Sequence, residues 1–503
     1  MTEAPHCLSP SRHKRILTQK PAVARYWQVL AAIVSGALMA SCYWPLNLHW
    51  LAWLAPVPWL LVLPKVPIPR VWLYGTVVGL VFYSLGLKWL FGLMVPLAVA
   101  AILGFSLLMG FSYRVARLLM DKLGTPAMLW AVPLAFVGQE VLRCEGLSRY
   151  RFSFLAWGYS QAHNPWIAQI ASIGGVYLLS FLLTAFSVSV AYGLLRRRLA
   201  AWIPAVATAV LVLVLGVFSQ PRSHQSLAQI PVACVQEESF DYPQYLRLTT
   251  QAAQHPSKPR FIVLPEHTIT EYAEPRLPIV SSLMKLAHEN GVYICVGAHV
   301  RATRPAACDY DNVALLIGPD GQILSQQRKA VPIPFMYDGN PARTQATIDT
   351  PYGSLGTYVC YDGLFTDVPR RLVTRRAGLI LVPVMDPYRW PLQERWQHAD
   401  MAAFRSIELR RCTVRAASSG ISQIIGGTGR VLAQRTREDG AGVLYGSVYF
   451  TSEQTVFARG GYLFAVLVAV GFLVLVVALT VADWTSRITD RFRTRRSAAM
   501  GCP

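Results

Sequence analysis

Long apolar stretches alternate with short basic loops over the first 220 residues of the chain. An apolar run of about 20 residues is long enough to cross the hydrocarbon core of a bilayer. We predict eight spans, near residues 27–46, 50–64, 71–90, 92–113, 124–142, 173–195, 201–219 and 461–482. The second run is short and contains proline, so the pattern fixes the number of helices only to within one.

The hydrophobic pattern changes between residues 228 and 455. Short β-rich runs such as FIVLPE and GLILVPV alternate there with charged helical stretches, which is typical of an α/β domain. A Pro-Asp-Gly turn at 319–321 predicts a hairpin between two of the strands. The predicted organisation is a basic N-terminus (1–26), a transmembrane domain of about seven helices (27–219), an α/β domain (228–455), a C-terminal transmembrane helix (461–482) and a basic tail (483–503).

Charge is sparse and lies beside the apolar spans. Hydrophobic residues make up 53% of the chain and charged residues 15%, with a net charge of +20. The basic residues cluster in the loops after the second, fourth and sixth spans, at Lys65 and Arg70, at Arg114, Arg117 and Lys122, and at Arg196, Arg197 and Arg198. These loops share one side if seven spans precede the α/β domain, which predicts a cytoplasmic basic side and a periplasmic α/β domain. The same clustering argues against nucleic acid as a partner.

The loop after the fifth predicted span breaks this charge pattern. It contains Arg143, Arg149 and Arg151 on the side predicted to be periplasmic. These side chains could line a site for a lipid headgroup, or they could be ordinary interfacial arginines, and the sequence leaves both interpretations open.

The nine cysteines are scattered, and no two are spaced as CxxC. This pattern predicts neither a zinc site nor a disulfide framework. We expect one reactive thiol among inert ones, and neither a metal nor a cofactor.

Three polar residues follow β-rich runs in the α/β domain. Glu266 closes the run FIVLPE, Lys329 follows the predicted hairpin, and Cys360 ends the run LGTYVC. We expect the three to converge at one edge of a sheet. A carboxylate there can take the proton of a thiol, and a fixed ammonium can stabilise the oxyanion that forms when the thiolate attacks an acyl carbonyl. Taken singly, each residue is more often a core cysteine or a solvated charge.

The motifs around these residues resemble the Glu-Lys-Cys triad of the nitrilase superfamily. They read LPE, then RKAVPIPF, then CYD. The segments GQEVLR (138–143), FLAWGYSQ (154–161), IGGVYLLSFLL (173–183) and the stretch 397–422 further resemble the membrane-embedded apolipoprotein N-acyltransferase branch. The resemblance implies a multi-pass membrane domain joined to a periplasmic αββα sandwich. It also implies a base at Glu266, an oxyanion stabiliser at Lys329 and a nucleophile at Cys360.

The resemblance implies a two-step reaction in the bacterial inner membrane. The cysteine takes an acyl group from a phospholipid, typically phosphatidylethanolamine, and passes it to the α-amine of a diacylglyceryl-cysteine on an apolipoprotein. The alternatives are a membrane-anchored nitrilase-type amidase, a non-catalytic membrane scaffold on the same fold, and a transporter, although intramembrane charges are few.

The chain departs from the family pattern around the triad. Tyr361 and Asp362 stand where the family has Tyr-Glu, and Tyr245 stands near the position of a family tryptophan. Tyr337 occupies the place of a family glutamate, with Asp338 one step later. We expect Tyr361, Asp362, Tyr245 and Asp338 to support the site.

Two further segments extend these departures. The stretch 385–390 keeps only Asp386 of the family's Asn-Asp pair. Arg405, Glu408 and Arg411 share a predicted helix and could either support the site from behind or form a surface ion-pair face.

Overall fold

The structure, a computed structural model, describes residues 21–146, 151–221, 227–302 and 308–499. Most of the predicted basic N-terminus (residues 1–20), Arg149 and the last four residues of the predicted tail lie outside the described residues, as do the side chains after residue 486.

The helices form three groups along the chain. The membrane part contains α1 (Pro21–Ser41), α2 (Val57–Val62), α3 (Ile68–Gly86), α4 (Val95–Leu123), α5 (Met128–Glu145), α6 (Pro165–Ala168), α7 (Ala171–Arg196) and α8 (Ile203–Phe218). The α/β domain contains α9 (Tyr242–Ala253), α10 (Pro278–Asn290), α11 (Asp367–Thr374) and α12 (Leu392–Leu409). The last helix is α13 (Leu463–Ala499).

Six helical segments of the described chain are long and apolar enough to cross a membrane. They are Ile68–Gly86, Val95–Leu123, Thr125–Glu145, Ala171–Arg196, Leu199–Phe218 and Phe457–Ser486. Their outward faces are apolar: Val206 and Val217 on α8, and Leu467 and Val477 on α13, are each more than half exposed. Such faces suit lipid. The chain therefore has a helical membrane domain, as predicted.

The prediction of a continuous second span over residues 50–64 is wrong. The chain forms a 3₁₀ segment at His49–Trp53, then α2, then a second 3₁₀ turn at Leu63–Lys65. The sequence has three prolines in this stretch, Pro56, Pro58 and Pro64. Each lacks the N–H that a continuous helix needs and restricts the residue before it, so the segment is broken.

The basic clusters lie at the helix ends remote from the α/β domain. The α3 helix begins beside Arg70 and ends at Gly86, whose carbonyl accepts a hydrogen bond from Gln397 of the α/β domain. The α7 helix runs the other way, from a contact with the α/β domain to Arg196. The broken segment ends at Lys65, so it returns the chain to the basic end.

The α/β domain contains thirteen strands among its described residues: β1 (Ile230–Gln236), β2 (Phe261–Val263), β3 (Ile269–Tyr272), β4 (Tyr293–Arg301), β5 (Tyr310–Ile317), β6 (Ile323–Arg328), β7 (Thr347–Thr350), β8 (Gly353–Thr357), β9 (Leu379–Val384), β10 (Cys412–Ala417), β11 (Ser422–Ile425), β12 (Val431–Arg435) and β13 (Gly442–Val448). One sheet has the order β13-β1-β2-β4-β5-β6, with β3 paired to β4, and the other has the order β12-β11-β10-β9-β8-β7.

The two sheets pack face to face between two pairs of helices. The α9 and α10 helices cover the first sheet, and α11 and α12 cover the second. Apolar residues point to both faces of the central parallel strands, which explains their continuous apolar runs. The β5–β6 pair is the predicted hairpin, with its turn closed by a hydrogen bond from Gly321 N to Gly318 O. The predicted αββα sandwich is confirmed.

The α12 helix lies between the second sheet and the membrane helices. Trp89 Nε1 donates to Gln397 Oε1 at 3.0 Å, and Arg405 Nη2 donates to the Tyr159 hydroxyl at 2.8 Å. Glu408 is fully buried and accepts the backbone N–H of α7 at Val176. The predicted alternative of a surface ion-pair face is therefore wrong, because these charges join the two parts of the molecule.

Candidate active site

Lys329 lies between two buried carboxylates. Its Nζ is 2.7 Å from Glu266 Oε1 and 2.7 Å from Asp338 Oδ2. Asn312 Nδ2 donates to the same two side chains, at 2.7 Å to Glu266 and 2.9 Å to Asp338. Burial alone favours the neutral amine, but Asp338 and Glu266 outweigh it and hold the pKa of Lys329 well above its usual value. The ammonium is therefore fixed in place.

Cys360 and Glu266 contact the same backbone residue, Met385. The Sγ of Cys360 is 3.9 Å from the carbonyl oxygen of Met385, whose N–H donates to Glu266 Oε2 at 3.1 Å. Burial, and then the charge of Glu266, raise the pKa of Cys360 well above its usual value, while Lys329 lowers it. The resting thiol is therefore protonated, and attack requires a base.

The site forms where the two sheets end together. Glu266 follows β2 and Lys329 follows β6, both in the first sheet, whereas Cys360 follows β8 in the second. The predicted convergence at one edge of a single sheet is corrected, since both sheets contribute. Cys360 has a φ of +44°, a backbone conformation that non-glycine residues rarely adopt and that often marks functional positions.

Asp362 joins the segment bearing Lys329 to the segment bearing Cys360. Its carboxylate accepts the N–H groups of Ala330, Val331 and Val359, at 2.7 to 3.2 Å. Burial raises the pKa of Asp362 to about 7, opposed by Lys329 and these N–H donors. Asp362, which the sequence predicts to support the site, therefore connects the two loops by hydrogen bonds.

Asp338, rather than Tyr337, faces Lys329. Tyr337 is 64% exposed and donates its hydroxyl to Asp309, while Asp338 is buried and also accepts the N–H of Ile333. The chain therefore supplies a carboxylate one residue after the position where the family pattern has its glutamate.

Tyr361 and Tyr245 have different surroundings. Tyr361 is buried in the wall of the cavity described below, and its hydroxyl lies 3.4 Å from the carbonyl oxygen of Arg151. Tyr245 lies on α9, on the outer side of the first sheet, and donates to Glu237 O at 2.9 Å. The structure does not bring Tyr245 into the cavity wall.

An apolar cavity of about 220 Å³ leads to Cys360. One wall comes from the membrane part, including Trp89, Leu93, Met94, Leu97 and Phe105, and the other from the α/β domain, including Ile333, Phe335, Met336, Leu364 and Trp390. Met94 and Phe335 are also exposed, so the cavity has an apolar rim.

Comparison with known families divides the chain at the boundary between its two parts. Residues 35–189 match the apolipoprotein N-acyltransferase N-terminal domain, and residues 227–455 match the carbon-nitrogen hydrolase family. These two matches make the chain similar to the apolipoprotein N-acyltransferases of the nitrilase superfamily.

Relatives in this family match along most of their length. A protein of Geobacter metallireducens named apolipoprotein N-acyltransferase is 28% identical, over 87% of this chain and 92% of its own. One of Vibrio cholerae with the same name is 26% identical, over 87% and 94%. Among solved structures, a carbon-nitrogen hydrolase from Helicobacter pylori covers 44% of this chain and 89% of its own, with 18% identity and a TM-score of 0.38.

Two groups of side chains near Cys360 and Lys329 have a spacing that could hold a metal ion. Ligand atoms of Cys360, Asp386 and His398 lie within 4.8 Å of one another, as do those of Glu266, His267 and Asp338. A protein cation already pairs with the carboxylates of each group, since Arg415 Nη2 is 2.7 Å from Asp386 Oδ2 and the Lys329 ammonium lies between Glu266 and Asp338.

The sequence analysis missed several polar residues of the site. Asn312 is a lone amide in a buried strand, and no pattern marked it. Glu394 and His398 lie one helical turn apart on α12 and both line the cavity, but a charged helix gave no reason to separate them from solvated residues. The i,i+4 spacing on one helix face was the available signal.

Proposed function

We propose that this acyltransferase N-acylates the α-amine of the diacylglyceryl-cysteine of apolipoproteins, using a membrane phospholipid such as phosphatidylethanolamine as donor. The reaction passes through a thioester on Cys360. One observation carries the proposal: a buried thiol beside an ion-paired lysine lies at the inner end of an apolar cavity walled in part by membrane helices.

In the first step, Glu266 takes the thiol proton and Cys360 attacks the donor ester. Glu266 Oε2 accepts only the Met385 N–H among the described contacts, so a lone pair remains for the proton. The ammonium of Lys329 stabilises the oxyanion of the tetrahedral intermediate. The ester C–O bond then breaks, Glu266 returns the proton to the leaving glycerol oxygen, and a lysophospholipid departs.

The cavity suits the acyl chain and headgroup of a phospholipid. Its walls are apolar, and each methylene moved from water into such surroundings contributes about 0.8 kcal/mol. Arg151 lines the same cavity, with its guanidinium over the Phe365 ring at 4.1 Å and Nη1 3.1 Å from Asp367. We infer that Arg151 contacts the donor phosphate. Arg143 instead donates to the carbonyls of Phe152 and Phe154, which favours a structural role for it.

A nitrilase-type amidase acting on a small soluble amide is a weaker candidate. Such a substrate needs no contact with lipid, whereas Leu93, Leu97 and Phe105 of the membrane part form a wall of this cavity. A scaffold without catalysis would not need a protonated thiol beside a buried ion pair.

We place the protein in the bacterial inner membrane with the α/β domain in the periplasm. The support is the distribution of charge, because the basic ends of α3, α4 and α7 lie away from the α/β domain and basic ends normally face the cytoplasm. We also propose the domain boundaries that the sequence predicts.

The test uses the full chain in detergent with labelled phosphatidylethanolamine. Intact mass should show one added acyl group on the wild type and none on Cys360→Ala. The matched control is Cys308→Ala, which removes another buried thiol that lies outside the cavity lining. The control should retain the adduct.

Two outcomes contradict the proposal. An adduct that persists on Cys360→Ala places the acyl group elsewhere. A wild type that forms no adduct in membranes that mature lipoproteins excludes the thioester route.

A further inference from the structure

Helix α12 carries two polar side chains into the cavity that the first step does not use. Glu394 and His398 are one turn apart, both are buried, and both line the cavity together with Cys360. Met385 N contacts Glu266, whereas the next residue, Asp386, contacts His398, so we call Glu266, Asp338 and Lys329 one flank of Cys360 and Asp386, Glu394 and His398 the other.

His398 is held by an ion pair. Its Nδ1 is 3.0 Å from Asp386 Oδ1, and Arg415 Nη2 is 2.7 Å from Asp386 Oδ2. Arg415 Nη2 also lies 3.2 Å from Nδ1, but the nearer carboxylate assigns the ring proton to Nδ1. Although burial would raise it, Arg415 and then His398 hold the pKa of Asp386 below its usual value. Nε2 is therefore the nitrogen that can accept a proton.

This imidazole lies near the reacting sulfur. A ring nitrogen of His398, an oxygen of Asp386 and Sγ of Cys360 all lie within 4.8 Å of one another. General bases act over one hydrogen bond or one bridging water, so His398 can reach a nucleophile that attacks the thioester.

Glu394 has an unused acceptor. Its Oε2 is buried with no hydrogen-bond partner among the described residues, and its Oε1 is 3.8 Å from His398 Nδ1. Burial, and then the charge of Asp386, raise the pKa of Glu394 well above its usual value. An unpaired buried carboxyl is unfavourable for the protein alone. Its place in the cavity wall indicates a ligand that supplies N–H groups.

We propose that Glu394, His398 and Asp386 form the site at which the acceptor amine is bound and deprotonated in the second half of the reaction. Glu394 accepts an N–H of the amine, His398 takes the proton, and Asp386 holds the imidazole. The inference rests on the proposed function, since it needs a thioester on Cys360.

The second step then balances. The amine nitrogen bonds to the thioester carbon, and the proton it loses goes to Nε2 of His398. The C–S bond breaks, the thiolate leaves beside the Lys329 ammonium, and the new amide departs. The imidazolium then returns its proton to the sulfur, whose raised pKa favours the thiol. Glu266 serves acylation and His398 serves transfer.

The test separates the two half-reactions in single turnover. The acyl-enzyme is formed from labelled phosphatidylethanolamine, excess donor is removed, and a synthetic diacylglyceryl-cysteine peptide is added while intact mass follows the adduct. His398→Gln should form the adduct within about threefold of the wild-type rate but transfer it about 10²- to 10⁴-fold more slowly. Glu394→Gln should raise the acceptor concentration that gives half-maximal transfer.

The matched control is Asp400→Asn, which removes a carboxylate from the same helix outside the cavity lining. It should leave both half-reactions unchanged. Hydroxylamine, a stronger nucleophile toward thioesters than an alkyl amine, should discharge the thioester of His398→Gln at close to the wild-type rate, because the defect lies in taking the proton of the acceptor amine.

The outcomes separate this inference from the proposed function. If the wild type forms no adduct, the proposed function fails, and the amine site fails with it. If the adduct forms but His398→Gln slows both half-reactions equally, or neither, His398 is a structural residue and the inference alone is wrong. Because Glu394 Oε2 has no hydrogen bond to lose among the described residues, Glu394→Gln tests the site even if the His398 variant does not fold.

Discussion

The two flanks of Cys360 differ in how completely their carboxylates are paired. On one flank, Glu266 and Asp338 share the Lys329 ammonium and the Asn312 amide, and each also accepts a backbone N–H. On the other flank, Asp386 is paired but Glu394 keeps a buried oxygen without a partner in the described chain. The first flank is a closed unit that fixes charge where an oxyanion develops. The second leaves one buried acceptor available to a ligand.

The largest effect should come from removing the cation of the first flank, Lys329. Lys329→Met leaves two buried carboxylates without their cation, which destabilises a protein by about 3–5 kcal/mol. It also removes the oxyanion stabiliser, so adduct formation should fall at least about 10³-fold. Intact mass measures the adduct, and thermal unfolding in detergent measures stability.

The control for this variant is Lys285→Met, since Lys285 is an exposed lysine in a surface pair with Glu289. It should change stability by less than about 0.5 kcal/mol. If the two substitutions changed stability and adduct formation equally, the buried ion-pair network would not contribute more than a surface pair.

A second effect concerns the resting state of the thiol between the flanks. Burial and Glu266 hold the pKa of Cys360 above its usual value, so the thiolate fraction stays small and rises tenfold per pH unit. Alkylation of Cys360 by iodoacetamide should therefore accelerate about a hundredfold between pH 6.5 and 8.5. Peptide mapping isolates this cysteine from the others, and a rate already flat at pH 7 would reveal a resting thiolate instead.

The smallest effect compares the two glutamates directly. Glu394→Met removes an unpaired carboxyl and should leave stability equal or raise it by about 1–3 kcal/mol. Glu266→Met strips Lys329 of one partner and should lower the Tm. If both variants lose stability alike, Glu394 has a partner in solution and the two flanks do not differ.

The sequence was sufficient for the architecture and for bringing three polar residues to one place in it. Alternating β-rich and helical runs predicted the sandwich, and strand-end positions predicted that Glu266, Lys329 and Cys360 converge. It could not assign Cys360 to the second sheet, because strand order depends on contacts between distant segments. It named Asp338 among the supporting residues but could not pair it with Lys329, since the turn around Phe335, with a φ of +64°, decides whether Tyr337 or Asp338 faces inward.

Residues that act through tertiary contacts were harder to predict. Arg405 and Glu408 share an ordinary i,i+3 spacing, and only the packing of α12 against the membrane helices shows that they are buried. The broken segment at 49–65 was predicted as one helix because its apolar composition outweighed its prolines. The apolar composition of a segment predicts that it lies in the membrane better than it predicts one uninterrupted helix.

The helix that carries the proposed amine site also holds the α/β domain to the membrane part. Gln393 and Gln397 donate to the carbonyls of Leu85 and Gly86 at the end of α3. A change in the tilt of α3 should therefore displace the part of α12 that carries Glu394 and His398. Helix tilt responds to the thickness of the surrounding bilayer. We expect turnover to vary with the thickness of the bilayer even at constant donor concentration. The bilayer would then supply the proposed donor and also influence the geometry of the site.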